Sequence, residues 1–292
     1  MSPLGLVKLT QLMELTRGRS EVIVGLVDGP VAMDHPDLAH ENIRGIPGEL
    51  SGICTVANSA ACTHGTFVAG VLSAKRNSPA PAICPSCTLL VRPIFTESIP
   101  LNEQMPNATP EELAAAILDC VQAGVQVINL SAALMQPSLS NQRTLEEALN
   151  YAASHSVIIV AAAGNQGAIG STTITRHPWV IPVVACDLQS KPLDYSNLEN
   201  SISRRGLSAP GDNITSVSAS GSSLTFSGTS AAAPFVTGAI ALLWSEFPGA
   251  TAAEVRFVVT EASVQRRATV VPPLLDAWGA YRMLNVSLKR RM

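Results

Sequence analysis

The chain has 292 residues, of which 47% are hydrophobic, 14% charged and 4% aromatic, and its formal net charge is -3. This length is enough for one large α/β domain, and a core of Ala, Val, Leu and Ile is typical of a parallel sheet buried on both faces. The small net charge favours neither a nucleic-acid-binding nor a membrane-surface protein. The first residues contain no uninterrupted apolar segment of the secretory type, so we expect a cytoplasmic protein, or a secreted one if the chain has been shortened.

Short apolar strands alternate with helices along most of the chain. The run 22–27 ends abruptly at Asp28-Gly29-Pro30, and Thr109-Pro110-Glu111-Glu112 is a capping box that opens a helix ending at Gly124. This alternation predicts an α/β fold with a doubly wound, mostly parallel sheet flanked by helices. We predict a single domain over 1–292, with an N-terminal extension at 1–20 and a C-terminal tail at 284–292. Further strands are predicted at 88–94, 125–130, 157–163 and 180–185, and further helices at 64–74, 144–155, 229–247 and after Thr251.

Six cysteines occur, two in apolar segments and four in loop-like sequence around His64: Cys120 and Cys186, then Cys54, Cys62, Cys84 and Cys87. The first two are expected to be buried and unreactive. The other four allow three disulfide connectivities, between which the spacing does not choose. Free thiols, or a zinc site built on Cys84-Pro-Ser-Cys87, are further alternatives, although Cys54 and Cys62 lack the usual short spacing of zinc ligands.

Three motifs carry residues with catalytic chemistry. Asp28 ends the first strand, His64 opens a helix in the segment HGTFVAG, and Ser230 opens another in GTSAAAP. In an open parallel sheet, functional residues gather at the carboxyl ends of the strands. A serine hydroxyl is a weak nucleophile that needs a base within hydrogen-bond reach, and a carboxylate orients that base. These residue types therefore point to nucleophilic catalysis.

From residue 22 to about 283 the sequence resembles the subtilisin-like serine proteases, in the Asp, His, Ser order and in the segments HGTFVAG, AAAGN and GTSAAAP. The resemblance implies a subtilisin-like fold and a catalytic triad of Asp28, His64 and Ser230. It implies that the side chain of Asn165, in AAAGN, donates to the oxyanion. It also implies that two segments line the substrate cleft: Ser131, Ala132 and Ala133 on one side, and Ala162, Ala163 and Gly164 on the other.

The resemblance implies neither a cofactor nor a catalytic metal. Many secreted relatives hold calcium in the loop at 75–85, but here Asn77 is the only obvious oxygen ligand in that loop. The alanines at 132 and 133 replace a bulkier residue and a glycine in many relatives, which leaves the preferred residue before the cleavage site undefined. The expected partner is a peptide, with no nucleic acid and no membrane; the oligomeric state is left open.

Within this family, the stretches at 9–18, 82–87 and 92–95 are similar to those of the cyanobactin-maturation proteases. This second resemblance implies processing of a ribosomally made precursor peptide by removal of its leader. Only 35 residues separate Asp28 from His64, and their Pro and Gly residues break helical periodicity. Ring-closing members carry a helical insertion there, so hydrolysis is predicted. The alternatives are a macrocyclising transpeptidase, a general degradative protease and a catalytically silent binding protein.

Overall fold

The computed structural model describes residues 1–38, 40–47, 50–97, 108–131, 142–263 and 269–291. In this part of the chain, seven strands form one sheet in the order β2-β3-β1-β4-β5-β6-β7, with every neighbouring pair parallel. The predicted parallel α/β sheet is thus confirmed. The strands are β1 Ile23–Asp28, β2 Ile43–Gly45, β3 Thr88–Pro93, β4 Val127–Leu130, β5 Ile158–Ala162, β6 Val180–Cys186 and β7 Leu207–Pro210.

Helices cover both faces of the sheet. Neighbouring residues of one strand enter different cores: Ile158 and Val160 pack in the first core, Ile159 in the second. This division is the two-residue period of a strand that is buried on both sides. The helices are α1 Pro3–Leu6, α2 Leu9–Leu15, α3 Ala60–Ser73, α4 Pro110–Gln122, α5 Gln142–Ser154, α6 Thr173–Arg176, α7 Asn200–Arg205, α8 Thr229–Glu246, α9 Ala252–Glu261 and α10 Ala277–Lys289. Helices α3 and α8 contribute to the first core, and α4 and α5 to the second.

The strand order reverses at β1. The chain runs from β1 to β2 and β3 on one side and then returns to place β4 on the other side. A reversal of this kind opens a crevice at the carboxyl ends of the strands. The ends of β1 and β4 border this crevice, so Asp28 and the residue after Leu130 lie at the place where the topology favours a functional site.

Several elements depart from the prediction. Helix α3 begins at Ala60, one turn before His64, because the hydroxyl of Ser59 accepts a hydrogen bond from the Cys62 backbone N–H at 3.1 Å. Residues 284–289, predicted as part of a tail, continue helix α10, where Leu284 is buried. Elements not predicted from sequence include α1, α2, β2 and an antiparallel hairpin of β8 Ile214–Val217 and β9 Ser223–Phe226. No helix among the described residues is long and apolar enough to cross a membrane.

Candidate active site

Asp28 and His64 form a buried hydrogen-bonded pair. The Asp28 side chain is fully buried, and its Oδ1 lies 2.7 Å from His64 Nδ1 and accepts the Gly29 backbone N–H at 2.6 Å. A carboxylate can only accept here, so Nδ1 carries the proton and a neutral His64 keeps its lone pair on Nε2. Burial lowers the pKa of His64, but the charge of Asp28 and its hydrogen bond outweigh burial and raise the pKa overall. This is the arrangement that a general base requires.

Close backbone packing holds this pair together. A Cβ atom added at Gly29 would lie 1.9 Å from the Ala61 carbonyl oxygen, in the first turn of α3. A Cβ atom at Gly65 would lie 2.4 Å from the Gly29 carbonyl oxygen and 2.6 Å from that of Pro30. Only glycine allows backbones to approach this closely. The turn after Asp28 and the helix that carries His64 are therefore fitted directly against each other.

Ser230 is the second residue of α8 and is 5% exposed. The residue at the N-cap position is Gly228, and no side chain caps the helix there. The first N–H groups of a helix lack partners within the helix and lie at the positive end of its dipole. Ser230 is thus placed beside donors that favour negative charge.

The amide of Asn165 is held in one orientation. Its Oδ1 accepts hydrogen bonds from the Thr229 backbone N–H at 2.9 Å and from the Thr229 hydroxyl at 3.0 Å. The Nδ2 group lies on the other side: a Cβ atom on Gly228 would be 3.1 Å from Asn165 Nδ2 and 3.6 Å from Ser230 Oγ. The amide N–H donors and the Ser230 hydroxyl therefore border the same small space.

The three predicted triad residues are not all bonded to one another. Among the described residues, no hydrogen bond joins His64 to Ser230. The His64 ring instead packs edge-on against Phe226, with centroids 5.6 Å apart and planes at 83°. Phe226 ends β9, four residues before Ser230, so His64 lies against the segment that leads to the serine. Catalytic hydrogen bonds are often long in a free enzyme and shorten when substrate binds.

Two of the predicted cleft residues, Ser131 and Gly164, contact the start of α8 from different strands of the sheet. The hydroxyl of Ser131 donates to the Ser230 carbonyl at 3.5 Å and accepts from Asn129 Nδ2 at 2.7 Å. The Gly164 N–H donates to the Thr229 hydroxyl at 3.2 Å, just beyond strand β5, which ends at Ala162. Ala163 is buried directly after the same strand. Ala132 and Ala133 lie outside the described residues.

Sequence reasoning missed several residues that position this site. Thr229 orients the Asn165 amide, and Thr237 donates to Asn129 Oδ1 at 2.8 Å inside the protein. Asn197 accepts the N–H groups of Gln166 and Ala168 at 3.1 and 3.0 Å and so holds the loop that carries Asn165. Two of these residues had a signal in the sequence: Thr229 lies in the GTSAAAP segment, and Asn129 lies two residues before Ser131 in the predicted substrate-binding segment. Asn197 and Thr237 are brought to the site by the fold.

The zinc site considered for the cysteines and the calcium site considered for the loop at 75–85 can be compared with the structure. Cys54 and Cys62 form a disulfide, whereas Cys84 and Cys87 are free and buried. Among the described residues, one group of three His, Cys, Asp or Glu side chains is close enough together to hold a metal ion, namely Cys54, Cys62 and Glu97. Its two sulfurs are already bonded to each other in the disulfide. In the loop, the guanidinium of Arg76 donates to the carbonyls of Met13, of Thr16 at 2.6 Å and of Ile83 at 3.2 Å.

A parallel sheet with a buried Asp–His pair at its carboxyl edge, and a serine at the start of helix α8, is the arrangement of a serine peptidase of the subtilisin type. The sequence model of the subtilase family matches residues 19–279, and this chain belongs to that family. Subtilisin DY of Bacillus licheniformis is 31% identical over 242 residues, 81% of either protein. Subtilisin E of Bacillus subtilis is 30% identical over 243 residues, 81% of this chain but 59% of that relative. The chain is a subtilisin-type serine endopeptidase.

Solved structures extend the comparison. A mutant of the protease domain of PatA superposes with a TM-score of 0.83 at 28% identity, covering 92% of this chain and 97% of that one. The prenylagaramide maturation protease PagA gives a TM-score of 0.80 at 27% identity, covering 94% and 98%. The PatG macrocyclase in complex with peptide gives 0.77 at 20% identity, covering 94% and 95%, a similarity that shows the fold alone.

Proposed function

We propose that the chain hydrolyses peptide bonds through an acyl-enzyme formed on Ser230. His64 Nε2 takes the hydroxyl proton as Ser230 attacks the carbonyl and returns it to the leaving amine; water then releases the acyl group by the same steps. The observation that carries this proposal is the 2.7 Å hydrogen bond between His64 Nδ1 and the buried Asp28, because it leaves Nε2 as the basic nitrogen. Asp28 stabilises the imidazolium without taking its proton.

Asn165 and the start of α8 supply the oxyanion site of this proposal. The two hydrogen bonds from Thr229 to Asn165 Oδ1 leave the Nδ2 donors directed at the space beside Ser230. The Ser230 backbone N–H is the second donor, at the positive end of the helix. Donors fixed in this way stabilise the charge of the tetrahedral intermediate without reorganising during the reaction.

The substrate we propose is a ribosomally made precursor peptide, from which the enzyme removes the leader. Support comes from the two maturation-protease structures named above, which this chain matches over more than nine-tenths of its length at 27–28% identity. An extended peptide would pair by main-chain hydrogen bonds with the ends of β4 and β5. We expect it to run between Ser131 and Gly164, which flank the start of α8.

Hydrolysis is favoured over ring closure by the connection between Asp28 and His64. In the described part of this connection the structure has only the 3-10 helix His40–Asn42, the short strand β2 and the start of α3 before His64. The described residues of this connection form no helical layer that could keep water from an acyl-enzyme. The similarity to the macrocyclase is of fold alone and does not favour transpeptidation.

The test offers the purified enzyme a leader–core peptide and identifies the products by mass. We expect a cleaved leader and a linear core with the wild type, and no cleavage with Ser230→Ala. A predominantly cyclic core would overturn hydrolysis in favour of the transpeptidase. Equal cleavage of a panel of unrelated peptides would overturn the dedicated processing role and leave a general degradative protease.

A catalytically silent binding protein is the alternative from another class. A fluorophosphonate probe reacts with an activated serine, so we expect it to label the wild type and not the Ser230→Ala variant. Unlabelled wild-type protein would support the binding protein.

The predicted cytoplasmic location is checked separately, by fractionating cells that produce the full-length protein.

A further inference from the structure

The Cys54–Cys62 disulfide lies next to the catalytic histidine without any part in the proposed reaction. Cys62 is the third residue of α3, two residues before His64. Cys62 is completely buried, whereas Cys54 is only half-buried and can be reached from solvent. An external thiol would therefore attack the sulfur of Cys54.

This disulfide is part of a series of contacts that links the segment after Asp28 to the helix that carries His64. The Cys54 backbone N–H donates to the Val31 carbonyl at 2.9 Å, and the Val31 N–H donates to the Gly52 carbonyl at 3.0 Å. Val31 follows Asp28 by three residues, so the segment 52–54 is paired with the chain leaving β1. The disulfide joins that segment to the first turn of α3. It thus connects the backbone that follows Asp28 in the chain with the backbone that precedes His64.

Glu97 fixes the other side of the same segment. Its Oε1 accepts the backbone N–H groups of Thr55 and Val56, each at 2.8 Å, and its Oε2 accepts the Thr55 hydroxyl at 2.6 Å. Burial raises the pKa of Glu97, but these hydrogen bonds together lower it, so Glu97 is ionised near neutral pH. The segment between the two cysteines is thus anchored by Glu97 at Thr55 and Val56. Its links to α3 are the disulfide and a hydrogen bond from the Thr63 hydroxyl to the Ala57 carbonyl at 3.4 Å.

The position of the two sulfurs decides how the bond would break. Cys62 lies in the first turn of a fourteen-residue helix, where the helix dipole stabilises a thiolate and makes Cys62 the better leaving group. The carboxylate of Glu97, which lies within 4.8 Å of both sulfurs, opposes this effect. Disulfides in proteins that meet cellular thiols are commonly transient or redox-sensing.

We propose that the Cys54–Cys62 disulfide is a thiol–disulfide exchange site that regulates the peptidase: the oxidised form holds His64 against Asp28, and the reduced form releases the first turn of α3. The inference rests on the proposed function, since it assigns His64 and Asp28 to catalysis. The reductant is a dithiol. One of its thiolates attacks Cys54 Sγ, and the S–S bond breaks with its electron pair going to Cys62 Sγ, which takes up a proton. The second thiol of the reductant then attacks its own mixed-disulfide sulfur and releases Cys54 as a thiol. The protein gains two electrons and two protons, and the dithiol becomes a cyclic disulfide.

The experiment measures the rate of fluorophosphonate labelling of Ser230 in wild-type enzyme before and after treatment with a dithiol, with the thiol count checked by mass after alkylation. We expect reduction to slow labelling by about tenfold or more, because displacing a catalytic group by about 1 Å can cost 10²-fold. Reoxidation with the cyclic disulfide is expected to restore the rate. The acid limb of the pH–rate profile is expected to move to lower pH, since His64 loses the influence of Asp28 that raises its pKa.

Two cysteine variants make the result specific. Cys84→Ser/Cys87→Ser removes the other neighbouring thiol pair and is expected to respond to the dithiol like the wild type. Cys54→Ser/Cys62→Ser is expected to be slow and insensitive to it. Equal labelling of the oxidised and reduced wild type, or a response that the second variant retains, would overturn the inference. Failure of the proposed precursor processing would look different: labelling would still follow the redox state, while the leader–core peptide stayed intact. No labelling in either state would overturn both.

Discussion

Replacing Gly29 by alanine is expected to separate the Asp28–His64 pair. The new Cβ atom would lie 1.9 Å from the carbonyl oxygen of Ala61 and 2.5 Å from its carbonyl carbon. Both atoms belong to the backbone of α3, so no side chain can rotate to relieve the contact. Ordinary contact begins at 3.4 Å, so the two backbones must separate by about 1.5 Å.

The size of the effect follows from this displacement. The bond from His64 Nδ1 to Asp28 Oδ1 is now 2.7 Å long. A separation of about 1 Å or more takes it beyond the range of a hydrogen bond and is expected to reduce kcat by about 10²-fold. The expected cost in unfolding free energy is about 1–3 kcal/mol, as for other overpacked sites, so the variant is expected to fold.

Steady-state kinetics on a peptide substrate, together with fluorophosphonate labelling, would measure this loss. Gly249→Ala is the matched control, because a Cβ atom there meets nothing within 4 Å. We expect the control to keep the wild-type kcat while Gly29→Ala loses most of it, with both proteins showing the same circular dichroism. A fully active Gly29→Ala enzyme would refute the view that this backbone contact positions the pair.

Three further predictions concern the oxyanion donor, the base and the loop at 75–85. Asn165→Ala is expected to lower kcat by about 10²–10³, the magnitude established for a subtilisin, with little change in KM in steady-state assays. The kcat/KM of the wild type should rise with pH through a pKa above the ordinary 6.5 of histidine, since Asp28 outweighs the effect of burial on His64. In Asp28→Asn this limb is expected to move to lower pH, and kcat to fall by about 10⁴. Arg76→Met removes three hydrogen bonds from a half-buried guanidinium to carbonyl oxygens and should lower the unfolding free energy by about 2–4 kcal/mol. Urea denaturation in the Ser230→Ala background, which cannot digest itself, measures this change, and Arg76→Lys should recover part of it.

The sequence predicted those helices and strands that are determined by residues close together in the chain. The capping box of Thr109 and Glu112 is present, with both of its hydrogen bonds, and α4 begins at Pro110 as expected. The buried strands β3 to β6 appear within two residues of their predicted bounds, because a run of apolar β-branched residues between turns has few other solutions. The order of the three motifs places Asp28, His64 and Ser230 at the ends of elements that a parallel sheet brings to one edge.

Features that depend on distant contacts were not predictable. The sequence predicted that α3 starts at His64, whereas the helix starts at Ala60 after the cap Ser59, and its first turn packs against Gly29, a contact distant in the chain. The pairing of Cys54 with Cys62 requires knowing that the chain leaving β1 returns alongside Gly52, which no spacing rule states. The edge strand β2 and the hairpin strands β8 and β9 have only three or four residues each, which is too short for a clear two-residue period.

The proposed chemistry depends on the backbone contact between the turn after Asp28 and the start of α3, which we call the joint. At this joint, Gly29 and Gly65 have no side chains that would keep the Asp28 turn away from α3. The disulfide also links the start of α3 to the segment that pairs with the chain after Asp28. The orientation of Asn165 is set separately, by Thr229 on α8. A change at the joint should therefore alter the basicity of His64 and the reactivity of Ser230 while leaving the oxyanion donors in place. A loss of Asn165 should do the reverse, lowering kcat without moving the pH–rate profile. The two groups are built on different elements, so the double variant Gly29→Ala/Asn165→Ala compares their effects directly. If His64 and Asn165 act on separate steps, its loss of activity should equal the product of the two single losses. A smaller loss is expected only if they act on the same step.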